Sequence, residues 1–262
     1  MDSMYDAFSA YYDRFVNWQE RLAFEIPFIE QHLSSLAPHK QNIRILDAAT
    51  GSGMHVIELA RLSYISYGAD LSPAMIQLAQ ANTHTAEVNA IFKKAGFGEL
   101  ATVFSAELPF DAVLCLGNSL PHVADDAELQ GAIADFYNCL RPGGLVIIQN
   151  RNFDAVLAQH QRWMEPQDCL ENNEEWLFLR FYDFEPDGML NFNIITLHRQ
   201  SQGAWQQQVG NTCLLPATHH KMDYALTETG FSKISYFGSM STATPYEKLN
   251  SGNLVAVAMK PY

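Results

Sequence analysis

The sequence predicts an α/β fold, a parallel sheet covered by helices, on three observations. Short β-branched runs alternate with helical stretches through about the first 150 residues, the order that lays parallel strands side by side with helical returns. A strand, a glycine turn and a helix follow one another in ILDAATGSGMHVIELA, Ile45 to Ala60. With 262 residues, 48% hydrophobic and 17% charged, the chain can bury a full core.

The elements follow in order. An opening segment from Tyr5 to Leu36 places Phe15, Trp18, Leu22, Ile26, Ile29 and Leu33 at helical spacings, and Pro27 should kink or divide it. Strands are expected at 43–47, 65–69, 88–92, 110–116 and 145–149, with helices at 54–62, 73–82 and 126–140. Beyond residue 170 the runs lengthen, at 175–184, 189–198 and 205–215. Turn residues Pro186-Asp187-Gly188 and Ser201-Gln202-Gly203 between them make an antiparallel meander. A helix at 218–229 ends on Gly230 and leads into strands at 231–236 and 254–259.

Composition removes several classes of function. Asp and Glu number 29 against 16 Lys and Arg, a formal charge of −13, and only Lys93-Lys94 are adjacent bases, so nucleic acid is not an expected partner. The longest apolar runs, such as Leu145 to Ile148, are too short to span a bilayer. The opening MDSMYDAF lacks the basic flank and apolar stretch of a signal peptide, which points to a cytoplasmic address. Cys115, Cys139, Cys169 and Cys213 stand far apart and read as buried thiols. His219-His220 have no acidic or cysteine partner at a ligand spacing, so no metal is expected.

The glycine turn carries the chemistry. Gly51 and Gly53 let the backbone approach a ligand, and the helix behind them offers unsatisfied N–H groups. Asp70, closing the second strand, can accept hydrogen bonds from both hydroxyls of a ribose. A dinucleotide site wants a third small residue where Val56 stands, no G-K-[ST] follows for a triphosphate, and the chain has no Y-x-x-x-K.

The run D-x-A-x-G-x-G at Asp47 to Gly53, followed by ADLSPAMI at Ala69 to Ile76, resembles the first two motifs of class I S-adenosylmethionine-dependent methyltransferases. LGNSLPH, Leu116 to His122, with RNFD, Arg151 to Asp154, is similar to the glycine N-methyltransferase branch, and the likeness is weakest in the meander. The resemblance implies a Rossmann-like seven-stranded sheet with helices on both faces, an N-terminal helical segment and an antiparallel β insertion after strand five. The corresponding division is a helical cap at 1–40, a cofactor domain at 41–169 with 217–262, and an insertion at 170–216 covering the active site.

For the cofactor, the resemblance implies contacts from Asp47, Ala49, Gly51, Gly53, Asp70, Leu71, Met75, Gly96, Phe97, Leu116, Gly117 and His122, with Tyr11 or Tyr12 and Arg21 closing over it and Arg21 pairing its carboxylate. For the acceptor, it implies that Asn118 meets the amine and Arg151 holds a carboxylate, for which a guanidinium fork is suited. Asn118 and His122 are the candidate catalytic residues. The reaction implied is in-line methyl transfer to a small-molecule acceptor with no general base assigned, driven mostly by positioning and exclusion of water. Glycine, sarcosine, a larger amino acid, another amine and a hydroxylated natural product all stay open as acceptors. The aromatics Trp176, Phe178, Phe181, Tyr182 and Phe184 suggest a roomier apolar pocket. A nicotinamide-dependent oxidoreductase, a cofactor-binding protein without catalysis and a homo-oligomer also remain open.

Overall fold

The computed structural model describes residues 13–36, 43–171, 173–201 and 203–262. Its main sheet has seven strands in the order β10-β11-β5-β4-β1-β2-β3. These are β1 (Arg44–Asp47), β2 (Ile65–Asp70), β3 (Ile91–Lys94), β4 (Phe110–Cys115), β5 (Leu140–Arg151), β10 (Ser232–Phe237) and β11 (Asn253–Met259). β1 to β5 pair in parallel, whereas β11 runs antiparallel to β5 and β10 antiparallel to β11. The order reverses between β1 and β4, and a ligand crevice forms at the carboxyl ends of strands where such a sheet reverses.

Helices cover both faces. On one lie α1 (Trp18–Leu33) and α2 (Met54–Arg61), burying Ile26, Phe28, Ile29, Leu33 and Leu59 against Ile45, Leu114 and Ile147. On the other lie α5 (Asp126–Cys139) and α7 (His219–Thr229), which bury Ile133, Phe136, Met222 and Leu226 against Val113, Val146 and Ala256. Each such apolar side chain contributes about 1.5–3 kcal/mol of transfer free energy. The remaining α-helices among the described residues are α3 (Pro73–Thr85), a single turn α4 (Leu100–Val103) and α6 (Phe153–Ala158).

A second sheet of four antiparallel strands follows β5: β6 (Gln167–Glu171), β7 (Glu174–Phe184), β8 (Leu190–Gln200) and β9 (Gln206–Leu214). It begins before the expected residue 170, because an edge strand precedes the meander.

Several expectations are corrected. Pro27 does not divide α1: it and Ala23, whose carbonyl loses its partner, face solvent while Ile26, Phe28 and Ile29 anchor the other side. β3 lies later than residues 88–92 and includes both lysines, tolerable on an edge where Lys93 pairs with Glu107 at 2.7 Å. Cys115 and Cys139 are buried, but Cys213 on the edge strand β9 is exposed. Phe181 points to the face of β7 opposite Phe178 and Tyr182, against Trp163, since alternate residues of a strand point apart.

Candidate active site

β1 delivers the chain to the crevice with Ile45, Leu46 and Asp47 buried. The turn then passes through Gly51 at φ +54° and Gly53 at φ +83°, both in the left-handed region that favours glycine. A Cβ on Gly53 would stand 2.9 Å from the Ala79 Cβ and 3.1 Å from the Phe92 ring, so this glycine serves the packing of α2 on α3 and β3. The Gly51 N–H donates to Asp70 Oδ2 at 2.9 Å, and the Ser72 N–H donates to Oδ1 at 2.9 Å. Asp70 is thereby held against the glycine turn. Ser72 also caps α3, accepting from the Met75 N–H at 3.2 Å with Pro73 in the first turn.

The N-terminal segment closes on this turn. The Asp13 carboxylate accepts from Ser52 Oγ, from Trp18 Nε1 at 2.8 Å and from Asn82 Nδ2 at 3.1 Å. Two turns along α1 from Trp18, buried Glu25 accepts from Arg21 Nε at 3.1 Å and Gln149 Nε2 at 3.4 Å, and shares a 2.6 Å hydrogen bond with His55 Nε2. Burial raises the Glu25 pKa, but the His55 hydrogen bond and the charges of Arg21 and His55 outweigh it, leaving the carboxyl below its usual value. Arg21 thus gives its Nε to Glu25, while its Nη2 lies 3.2 Å from where a Gly117 Cβ would stand.

The loops after β4 and β5 are laced together. The Gly117 N–H donates to Gln149 Oε1 at 2.8 Å, and the Asn118 N–H to the Gln149 carbonyl at 3.1 Å. Asn118, at φ +65°, accepts the Arg151 N–H on its Oδ1 at 2.9 Å. Its amide therefore fixes the backbone that carries Arg151, and a second lone pair remains for a ligand. His122 ends a 3-10 turn, Leu120–His122, and burial pushes its pKa down to about 4.

These groups surround one cavity of about 1010 Å³. Arg21, Ala49, Gly51, Asp70, Leu71, Met75, Gly96, Phe97, Gly117, Asn118, His122 and Arg151 line it, all residues singled out from sequence. Asp47, Gly53 and Leu116 do not line it. Asp47 is buried behind the turn, accepting the Ala49 N–H at 3.3 Å, and burial pushes its pKa up to about 6. Leu116 is buried in the core with Leu114. Tyr11 and Tyr12 lie outside the described residues.

The insertion roofs the cavity with Arg180 and Tyr182 of β7, Phe192 and Ile194 of β8 and Thr212 of β9. Of the five aromatics expected there, Tyr182 reaches the cavity wall, and Trp176 and Phe178 pack against Ile194. Sequence reasoning missed Glu25, Gln149, Asn150 and Arg180. Asn150 is fully buried, lines the cavity, and neither amide atom has a hydrogen-bond partner among the described residues. Its signal was a polar residue on the inward face of β5, in step with Val146 and Ile148. Among the described residues no three His, Cys, Asp or Glu side chains group to hold a metal, and no helix is long and apolar enough to cross a membrane.

Comparison with known proteins agrees with this geometry. A family model described as a methyltransferase domain matches residues 45–144. A glycine/sarcosine N-methyltransferase of Parasynechococcus marenigrum (strain WH8102) is 31% identical over 88% of this chain and 76% of its own. The chain belongs to the class I S-adenosylmethionine-dependent methyltransferases. Within that family it resembles the glycine N-methyltransferase branch. A glycine/sarcosine N-methyltransferase of Halorhodospira halochloris is 26% identical over 98% of this chain and 88% of its own. The fold of this methyltransferase is shared by an S-adenosylmethionine-dependent methyltransferase of Clostridium acetobutylicum ATCC 824, with TM-score 0.76, 16% identity and coverage of 99% and 100% of the two chains.

Proposed function

We propose that this methyltransferase acts on the amine of a small, carboxylate-bearing acceptor of the glycine or sarcosine kind. One observation carries the reading. A single cavity joins Gly51 and Asp70, at the carboxyl ends of β1 and β2, to Arg151 and the unpartnered Asn150 at the end of β5. The names of the two relatives above agree with it.

The residues present fit S-adenosylmethionine. Asp70 is held at the cavity wall by two backbone N–H groups, where its carboxylate oxygens are suited to accept from ribose hydroxyls. A Cβ on Gly96 would come within 3.3 Å of Leu71 Cδ1 at the cavity wall, so glycine keeps that wall open for a base, with Phe97 beside it. Arg21, tethered by Glu25, can meet a carboxylate with its Nη groups. When bound, S-adenosylmethionine supplies a methyl group on a cationic sulfur. The acceptor nitrogen would take that methyl group with its lone pair, the carbon–sulfur electrons staying with sulfur and the amine's surplus proton passing to solvent.

The chain's own groups would hold the acceptor in line for that step. Arg151 would take the carboxylate, and the Asn118 hydrogen bond sets the backbone that aims it. Asn150 would offer its amide oxygen to the amine, since leaving a buried amide unpaired costs about 1–3 kcal/mol. His122, neutral above pH 4, would form a wall without competing for the methyl group. The seven-stranded sheet would then bind the cofactor and the insertion would close over the acceptor.

Calorimetric titration with S-adenosylmethionine and S-adenosylhomocysteine, with NAD alongside, tests the first half. Asp70→Ala is expected to weaken both sulfur ligands by about 10-fold or more, one charge-assisted hydrogen bond being worth about 1.5–3 kcal/mol. Arg151→Met should raise the KM for glycine or sarcosine about 10-fold or more and leave S-adenosylhomocysteine affinity within about twofold. Binding of NAD alone, or no methylation of any carboxylate-bearing amine, would overturn the reading.

A further inference from the structure

The acceptor end of the cavity holds more positive charge than one carboxylate needs. Arg180 sits midway along β7, on the face that carries Trp176, Phe178 and Tyr182. Its neighbour across the ladder is Ile194, so no acid stands opposite. Its guanidinium lies over the Phe15 ring at 4.7 Å, its Nε is buried without a hydrogen-bond partner, and no carboxylate pairs with it among the described residues. Arg151 is in the same condition: its Nη2 donates to neutral Gln161 at 3.1 Å, and its Nε is buried and unpartnered.

Other arginines on or against this small sheet are paired with its acids. Arg199 meets Glu175, Arg162 meets Asp183 at 2.7 Å, and Arg14 reaches Glu171 at 3.0 Å. In a chain with 29 acidic and 16 basic residues, two neighbouring cations facing one cavity without an acid are not an accident of composition. The acids that line the cavity are engaged elsewhere: Glu25 by Arg21 and His55, Asp70 by Gly51 and Ser72, Glu99 by the Gly96 N–H, and Glu128 by the Ala124 N–H. Burial and then the Arg151 charge both hold the Arg180 pKa below its ordinary value, so the two guanidinium groups feel each other. Buried charges are stable when paired, and a bidentate carboxylate satisfies one guanidinium.

We propose that Arg180 is a second anion anchor beside Arg151, and that the acceptor is an amine carrying two carboxylates. The inference rests on the reading above of a carboxylate-bearing amine and departs from its glycine or sarcosine form in one point, a second carboxylate on the acceptor. A monocarboxylate such as glycine leaves one cation uncompensated, whereas an aminodicarboxylate neutralises both and brings its nitrogen toward Asn118 and Asn150. Tyr182, Phe192 and Thr212 would bound the skeleton between the two anions.

The test separates this inference from the reading beneath it. Protein saturated with S-adenosylhomocysteine is titrated with acetate and with succinate, for the wild type and for Arg180→Met. Succinate should bind the wild type about 10-fold or more tightly than acetate. Arg180→Met should lose that advantage while keeping its melting midpoint and its S-adenosylhomocysteine affinity. Succinate binding no tighter than acetate, or an advantage that survives Arg180→Met, overturns the second anchor. Methyl transfer is measured in parallel with glycine, sarcosine, aspartate and glutamate. A dicarboxylate favoured in kcat/KM, with the preference lost in Arg180→Met, supports the proposal. Glycine methylated without any dianion preference sinks the anchor and spares the amine reading. Intact dianion binding with no methylation of these amines sinks the amine reading and the acceptor class with it, and leaves only the anion site.

Discussion

His122 shows how burial decides a residue's role. Its resemblance-derived place on the cofactor wall invites a general base, yet burial pushes its pKa down to about 4. A base must hold the proton it takes, and an imidazole of that acidity does so poorly near neutral pH. The same depression links to stability: folding disfavours protonation, so this contribution is intact above the ordinary value of 6.5 and is lost as pH falls through about 4. Asp47, pushed up to about 6, has the opposite sign, its contribution being present below 3.8 and lost as pH rises through about 6. The methyl-transfer rate of His122→Gln is therefore expected to follow the wild-type pH profile between about pH 6 and 9. A wild-type inflection that vanishes in the variant would restore His122 as a base. At this scale the sequence disclosed Asp70, Asn118 and Arg151 because they stand in recognisable runs. Arg180 was concealed among aromatics, although period-two counting puts it on the inner face between Phe178 and Tyr182.

The N-terminal segment behaves as a latch, and the latch is Asp13. Its carboxylate joins Ser52 of the glycine turn, Trp18 of α1 and Asn82 of α3, so three parts of the chain meet at one acid. Asp13→Ala leaves these donors to solvent and should cost on the order of 1–3 kcal/mol of stability. S-adenosylhomocysteine affinity should fall several-fold, since the turn that faces the cofactor loses its outer support. A melting midpoint and an affinity both unchanged in Asp13→Ala would remove the latch. Elements were legible in proportion to their burial: β4 and β11 are buried nearly throughout and read as largely apolar runs. β3 and β6 are edge strands with one buried residue and none, respectively, so no alternation marks them. Asp13 carried no signal, because a lone acid before a helix is ordinary until Ser52 and Asn82 are brought to it from far along the chain.

The whole molecule divides its work between two sheets. The reversal of strand order in the seven-stranded sheet creates the crevice occupied by Gly51 and Asp70, and the family resemblance was enough to anticipate it. The four-stranded sheet roofs the other end with Arg180, Tyr182, Phe192, Ile194 and Thr212, none of them in a run that the family resemblance marks. If the division is functional, changes in the roof should move acceptor binding and spare the cofactor. Phe192 tests this because it lines the cavity on β8, opposite Tyr182, with ring centroids 5.8 Å apart. Phe192→Ala enlarges the cavity and removes the surface against which an acceptor skeleton would pack, at a cost of about 3 kcal/mol or less in stability for a side chain only partly buried. The acceptor KM should rise about fivefold or more, and amines bulkier than the natural acceptor should gain relative to it. S-adenosylhomocysteine affinity should stay within about twofold of the wild type. Were it to fall in step with acceptor binding, the roof would be part of the cofactor site, and the two sheets would not be separable in function.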